Sequence, residues 1–232
     1  MSAQVYIDKM KAVQQDLIHY IDGTEEDFEQ LSKLLTELNI CETKNELKSL
    51  LQLISSIVSN HHRPTDFFKK IEKILFNVIP SIKQTISSAE LVKLFQCNKI
   101  ILLFLLDEKV LTIDDLPSTP EFHLYFYPEF ENSLKNDQKS EYSEKFKQFN
   151  IEYDRDTFIA NRKTGENESF ICSLIRNDSV VDFISHVNRI NLPLSTKISP
   201  SLFETNLYLT NKQCKLIQYA AFFGSIQIFN YL

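Results

Sequence analysis

Apolar residues recur at three- and four-residue intervals through the first half of the chain, the spacing that places them on one side of a helix. Tyr6, Met10, Val13, Leu17 and Ile21 make the first stripe. Ser2 stands where an N-cap belongs and Gly23 where a left-handed C-terminal residue belongs. Thr24 opens a second helix whose positive end carries Glu25, Glu26 and Asp27 and whose stripe is Phe28, Leu31, Leu35 and Leu38. Thr43 and Glu46 have capping-box spacing ahead of Leu47, Leu50, Leu51, Ile54, Ile57 and Val58. Asn60-His61-His62-Arg63-Pro64 breaks this third helix, because proline pushes its predecessor out of the helical region. Thr65 is the expected cap of a fourth helix with Phe67, Phe68, Ile71, Ile74, Leu75 and Val78, which Pro80 is expected to end.

The periods then shorten. Ser87 and Glu90 repeat the capping-box spacing before Leu91, Leu94 and Phe95. Asn98 is expected to make a left-handed turn, and Ile100 to Leu106 is apolar nearly all round, the mark of a buried helix. Together these predict a helical hairpin. Residues 114–150 read differently: a proline-rich loop, then Phe122, Tyr125, Phe126, Tyr127 and Phe130 around Pro128, then a polar stretch from Asn132 to Glu144. Asp154 to Lys163 has helical character and Gly165 closes it. Phe170, Ile171, Leu174 and Ile175, a turn at Asn177-Asp178, and Val180, Val181, Phe183, Ile184 and Val187 predict a second hairpin. Ile190 to Asn211 has two prolines and little periodicity and reads as a long loop. The organisation expected is an N-terminal helical module over 1–113, an aromatic and polar connecting region over 114–165, and helical hairpins over 166–232.

Composition narrows the function classes. The chain has 232 residues, with Lys plus Arg 25 against Asp plus Glu 31, a net charge of −6. Nucleic-acid binding wants a surplus of cations on one face, so no nucleic-acid partner is expected. Only Gly23, Gly165 and Gly224 occur, against about sixteen at average usage. Three scattered glycines make neither a phosphate-binding loop nor a dinucleotide fingerprint. Cys41, Cys97, Cys172 and Cys214 lack zinc or redox spacing. They read as reduced thiols of an intracellular, cytoplasmic protein. No apolar run approaches the ~20 residues of a membrane span, and no secretory leader is evident. The sequons at Asn167 and Asn177 carry no weight without a secretory route.

The most informative stretch is Leu216-Ile217-Gln218-Tyr219-Ala220-Ala221-Phe222-Phe223-Gly224-Ser225-Ile226-Gln227-Ile228-Phe229-Asn230-Tyr231-Leu232. It resembles an ankyrin repeat: the Ala220-Ala221 pair, two variable residues, Gly224, a polar residue, then Ile226, Ile228 and Leu232. The alanines let neighbouring helices approach, Gly224 permits φ > 0, and Ile228, Phe229 and Leu232 are expected to bury one face. Lys215-Leu216 stands where Thr-Pro is usual, and Gln218 where histidine is. The frame breaks off at Leu232 inside its second helix, which reads as a truncation point within a longer array. Asn98, Ile100, Leu102, Leu103 and Leu106 echo it weakly, and the match near Asp178 needs a one-residue shift. With Gly165 to Ser169, Ile175 to Ser179 and Phe203 to Asn206, the stretch is similar to trichomonad ankyrin-repeat proteins that carry an N-terminal domain of unknown function. That resemblance is strongest over 165–232. It implies a helical module leading into an ankyrin array and assigns no catalytic residue.

Candidate chemistry is thin. His61-His62 is the only paired imidazole, and no third ligand lies near. A Cys172–His186 nucleophilic pair lacks an evident oxyanion donor. Lys69, Lys70 and Lys73 form a small basic patch, read as a solvated helix face. No catalytic, cofactor-binding or metal residue is assigned, and no cofactor is expected. Phe122, Tyr125 and Tyr127 either anchor the connecting region or form an exposed contact for a protein partner. The reading is all-α, with stacked helical hairpins forming a short irregular ankyrin-like solenoid that serves as a non-enzymatic protein-interaction module. The alternatives are a structural cap for a longer ankyrin array and an enzyme of unassigned type.

Overall fold

The computed structural model describes residues 2–61, 63–64, 66–148, 151–211 and 214–232. His62 and Thr65, singled out above, lie outside the described residues. The described residues are helical without a named strand, and they divide into two compact units, Met1–Asp115 and Leu116–Leu232. Of the connecting region expected over 114–165, residues 114–115 fall in the first unit and 116–165 in the second.

The first unit holds α1 (Ala3–Asp22), α2 (Glu26–Glu37), α3 (Lys44–Asn60), α4 (Phe67–Thr85), α5 (Ser88–Phe95) and α6 (Lys99–Asp107). Helix α1 packs on α2, α3 and α4; α3 also meets α4 and α5; α5 pairs with α6. The stripes supply the core: Val13, Leu17, Leu31, Leu35, Leu50, Ile54, Ile71 and Leu75 are all buried. Ser2, Thr43 and Ser87 accept hydrogen bonds from the third residue onward, and the Ser87–Glu90 capping box is complete. At Thr43 the box is half made, because the Glu46 carboxylate turns to the Thr43 hydroxyl and to Lys9 Nζ.

Three expectations are corrected here. Pro80 does not end the fourth helix, which runs on to Thr85. The ring removes one backbone bond at a cost of about 3 kcal/mol. Buried Ile79 just before it and Ile82 just after it carry the stripe across the proline and offset that loss. Gly23 ends α1 but is not left-handed, with φ −98°. Glycine is needed there for space: a Cβ would strike the Asp27 carboxylate and lie 2.6 Å from the His19 carbonyl. Asn98 is likewise not left-handed (φ −123°). It is buried, and its amide donates to Ser55 and Ser59 of α3 at 3.4 Å. The left-handed positions of this unit fall instead on Asn39 and Lys109, after α2 and α6, and on Asp66, just before α4.

The basic patch on α4 is not a free cationic surface. Lys70 Nζ donates to the Tyr20, Ile21 and Gly23 carbonyls at 2.7–3.1 Å, closing the C-terminus of α1. Lys73 pairs with Glu25, and Lys69 with Asp66.

The second unit holds α7 (Pro120–Tyr125), α8 (Tyr127–Phe130), α9 (Asn136–Gln148), α10 (Arg155–Thr164), α11 (Phe170–Arg176), α12 (Val180–Arg189), α13 (Leu207–Asn211), α14 (Leu216–Phe223) and α15 (Ile226–Tyr231). Its first half is built on aromatic rings. Tyr127 lies 5.3 Å from Phe146 and 5.0 Å from Tyr153, and Phe158 bridges Phe146 to Phe203 at 5.5 and 5.0 Å. Beside them the buried Arg162 forks onto Glu129, both contacts 2.6 Å, and donates to the Tyr125 carbonyl. Burying this guanidinium is tolerable because its charge is met bidentately.

Candidate functional site

In the second half of this unit α11 pairs with α12 and α14 with α15, while α11 packs on α14 and α12 on α15. Two hairpins thus lie side by side, first helix on first and second on second. Their turns are the same. Asp178 (φ 48°) and Gly224 (φ 67°) are both left-handed and stand 46 residues apart. The Ser179 N–H bonds the Leu174 carbonyl and the Ser225 N–H the Ala220 carbonyl, at 3.0 and 2.9 Å. Asp178 and Gly224 bond back to Ile175 and Ala221. This paired closure satisfies the last carbonyls of each first helix. The turn falls on Asp178 itself, so the turn backbones align directly, while the core-facing residues of the second helices, Phe183 and Val187 against Ile228 and Leu232, align only with the expected one-residue shift.

The seam between the hairpins is held by reciprocal caps. The Asp178 carboxylate accepts the Gln227 and Ile228 N–H groups at 3.1 and 3.0 Å, filling the free donors at the start of α15. Ser225 is where a capping hydroxyl for α15 belongs, but it donates instead to the Ile175 carbonyl at the end of α11. Each hairpin therefore supplies the side chain that completes the other's helix terminus. Arg176 adds a third tie: Nη1 donates to the Tyr219 hydroxyl and to the Asn167 carbonyl, both at 2.8 Å, and Nε meets Glu166 at 2.6 Å.

The long segment after α12 is not a free loop. Leu202 to Asn206 is buried and α13 follows. The Asn167 amide donates to the Ser199 carbonyl at 2.9 Å, and the Thr205 N–H to the Gly165 carbonyl at 3.0 Å. Glu204, itself buried, accepts the Asn167 and Asn206 N–H groups. Gly165–Ser169 and Phe203–Asn206, distant in sequence, are thereby brought together. An isolated antiparallel bridge joins Lys197 to Lys215. Gln218 reaches back to the Lys215 N–H at 2.9 Å and so caps the start of α14 without the usual Thr-Pro.

The repeat-frame residues separate by face. Ala220 and Ile228 are buried in the core that the hairpins share, with Cys172, Phe183, Val187, Leu216 and Tyr219. Leu232 is half-buried against it, while Ala221 and Gly224 are exposed. Phe229, expected to bury with Ile228, is 43% exposed. It joins Ile217 (36%) and Ile226 (68%) among the exposed apolar residues of this hairpin.

No protein-family model matches this chain, and no curated protein or solved structure matches it.

The aromatic candidates are placed otherwise than an exposed contact would require. Tyr125 and Tyr127 are buried, and Phe122 is half-buried with its ring 5.9 Å from Phe126. Burial of Tyr125 and Tyr127 fits the anchoring reading for those two rings. A groove of about 700 Å³ lies nearby, lined by Tyr127, Phe146, Tyr153, Lys139, Lys147 and Glu152 among others.

The remaining chemistry is dispersed. Cys172 is buried in the hairpin core, and burial pushes its thiol up to about 11, away from the thiolate that a nucleophile needs. His186 is half-buried, edge-on to Phe170 and bonded to Arg189. His61 lies 3.4 Å from Asp22 and stacks on Phe67. Among the described residues no group of three or more His, Cys, Asp or Glu is arranged to hold a metal, and no helix is long and apolar enough to cross a membrane. Residue patterns missed Asp178, Ser225 and Arg176 as the seam. One signal could have found two of them, because a serine follows the turn residue in both hairpins, at Ser179 and Ser225.

Proposed function

We propose that this chain is a non-enzymatic protein-interaction module of the ankyrin-repeat type, with its docking surface on the outer face of the α14–α15 hairpin. One observation carries the reading: two hairpins stack like on like with identical turns, and the second still exposes Ile217, Ala221, Ile226 and Phe229. Stacked repeats bury such faces on a neighbour or a partner. Contiguous exposed apolar surface is a mark of a binding site. The resemblance of Leu216–Leu232 to an ankyrin repeat points the same way. The test is capture of protein partners by the full chain at low and high salt, beside Ile226→Lys and Phe229→Lys. A partner held in salt by the parent chain and lost by both variants supports the reading. A partner held equally by all three, or none held at all, overturns it.

The same exposed face supports a second reading, that the chain is a structural cap for a longer ankyrin array. Extending the chain by one further hairpin of its own design then raises the melting temperature by several degrees. An unchanged melting temperature removes that reading.

A further inference from the structure

We infer that the groove beside Tyr127 is a small-molecule site, and that its ligand is a flat aromatic ring carrying a single carboxylate. The site lies in the aromatic half of the second unit and does not depend on the docking reading above.

The groove has a floor of packed rings. Phe146 and Tyr153 stack on each other at 4.9 Å and 16°, and both stand edge-on to Tyr127. The Tyr153 hydroxyl donates to Glu131 at 2.6 Å, which holds that ring in place. One side of α9 makes the wall, because Lys139, Ser143 and Lys147 follow one another at four-residue spacing. The volume, about 700 Å³, falls within the ~300–1,000 Å³ of small-molecule sites. Exposed ring faces and edges receive another ring in an offset or edge-on geometry, which an aliphatic chain cannot match.

Two polar groups that line the groove have nothing to bind within the chain. Tyr127 is 5% exposed, yet its hydroxyl makes no hydrogen bond among the described residues. That hydroxyl is not sealed off, and the little surface Tyr127 keeps opens on the groove. Burial raises the phenol above its ordinary value, so it stays protonated and able to donate. A nearly buried donor without an acceptor is costly, and a ligand oxygen removes that cost. Lys139 is half-buried, and its ammonium also has no partner among the described residues. A carboxylate accepts from both kinds of donor through charge-assisted bonds.

The charges around the groove limit the ligand to one. Lys147 already pairs with Glu144 at 2.7 Å, which leaves Lys139 as the uncommitted cation of the wall. Glu152 lines the same groove and makes no ion pair with either lysine. A second anionic group would therefore meet Glu152 without a cation to offset it.

The probe is naphthoate, followed by the anisotropy of its own fluorescence, since the chain has no tryptophan to interfere. Naphthylmethanol is its neutral relative and naphthalene dicarboxylate its doubly charged one. Each is titrated with the full chain and with Lys139→Met, Tyr127→Phe and, as a control on α10, Lys163→Met. The Tyr127 hydroxyl holds nothing in the fold, so Tyr127→Phe should keep the parent melting temperature while it loses affinity. The expected result is one saturable site for naphthoate, with both relatives at least about tenfold weaker. Lys139→Met should weaken naphthoate about tenfold and leave naphthylmethanol unchanged. Tyr127→Phe should weaken naphthoate several-fold, and Lys163→Met should not change it. No saturable binding at protein concentrations up to several hundred micromolar overturns the inference. So does either relative bound as tightly as naphthoate, or naphthoate binding that ignores both Lys139→Met and Tyr127→Phe.

Discussion

Asp178 stands at the turn of the first hairpin, and Gly224 stands at the same turn of the second. The backbones agree to the hydrogen bond, but the residues solve different problems. Glycine takes the left-handed conformation without steric cost. Aspartate pays about 1 kcal/mol or more for it. The return lies outside its own hairpin, where its carboxylate caps α15. Nothing comparable can leave Gly224, which has no side chain. The comparison teaches that a turn in a stacked fold is selected for its neighbour as well as for itself.

The comparison can be broken most forcefully at Phe183 and Phe229, which stand at the same distance from their turn residues in α12 and α15 but of which only Phe183 is buried. Phe183→Ala is expected to cost about 3–5 kcal/mol in urea unfolding, since the ring is fully buried. Phe229→Ala is expected to cost about 1 kcal/mol or less. Equal costs would mean that the second hairpin buries its outer face. Next in size is Gly224→Ala, at about 1–2 kcal/mol. A Cβ there meets nothing within 4 Å, so the whole loss is backbone strain. Asp178→Ala is expected to cost about 1 kcal/mol through the lost cap. Asp178→Gly sharpens the point: it loses the same cap but relieves the turn, so it should fall nearer to the parent. A glycine variant as unstable as the alanine one would refute strain at Asp178.

A separate effect is alkaline. Burial raises Cys172 and Cys214 to about 11 each from an ordinary value near 9. Tyr219 is raised too, again mainly by burial. Groups raised in the folded state hold their protons longer than in the unfolded chain, so their stabilisation is complete below pH 9 and is lost as pH rises through about 11. Thermal melts across that window should show the decline, and Cys172→Ala should flatten it. The exposed Cys97 should meanwhile react with a thiol reagent before Cys172 does.

Sequence periodicity served the first unit best. Its helices are long, and each buries one stripe, so spacing and cap residues together locate them. Pro80 misled because the rule for proline weighs one helix, while Ile79 and Ile82 draw their burial from several. Asn98 misled for a related reason: a residue that tolerates a left-handed turn also makes a good buried amide, and α3 decides between the two. In the second unit the aromatic run was visible but its burial was not, because Tyr127 is covered by Phe146 and Tyr153 from further along the chain. The hairpin frame at Ala220 and Gly224 was legible, since small residues at close contacts leave a clear trace. The seam was not. An aspartate capping a helix some 50 residues away has no local pattern to betray it.

That separation has a kinetic consequence. Each hairpin closes through bonds spanning a handful of residues, whereas Ser225 reaches Ile175 and Arg176 reaches Tyr219 across 50 and 43. Chain-closure entropy grows with the length enclosed, so the short turns form before the seam. The seam is then a late event, absent from the barrier to folding and present in the barrier to unfolding. Removing the Tyr219 hydroxyl with Tyr219→Phe should hasten unfolding and leave the refolding rate nearly untouched. The ties between the hairpins thus act as a latch that sets how long the folded unit lasts rather than how fast it is made.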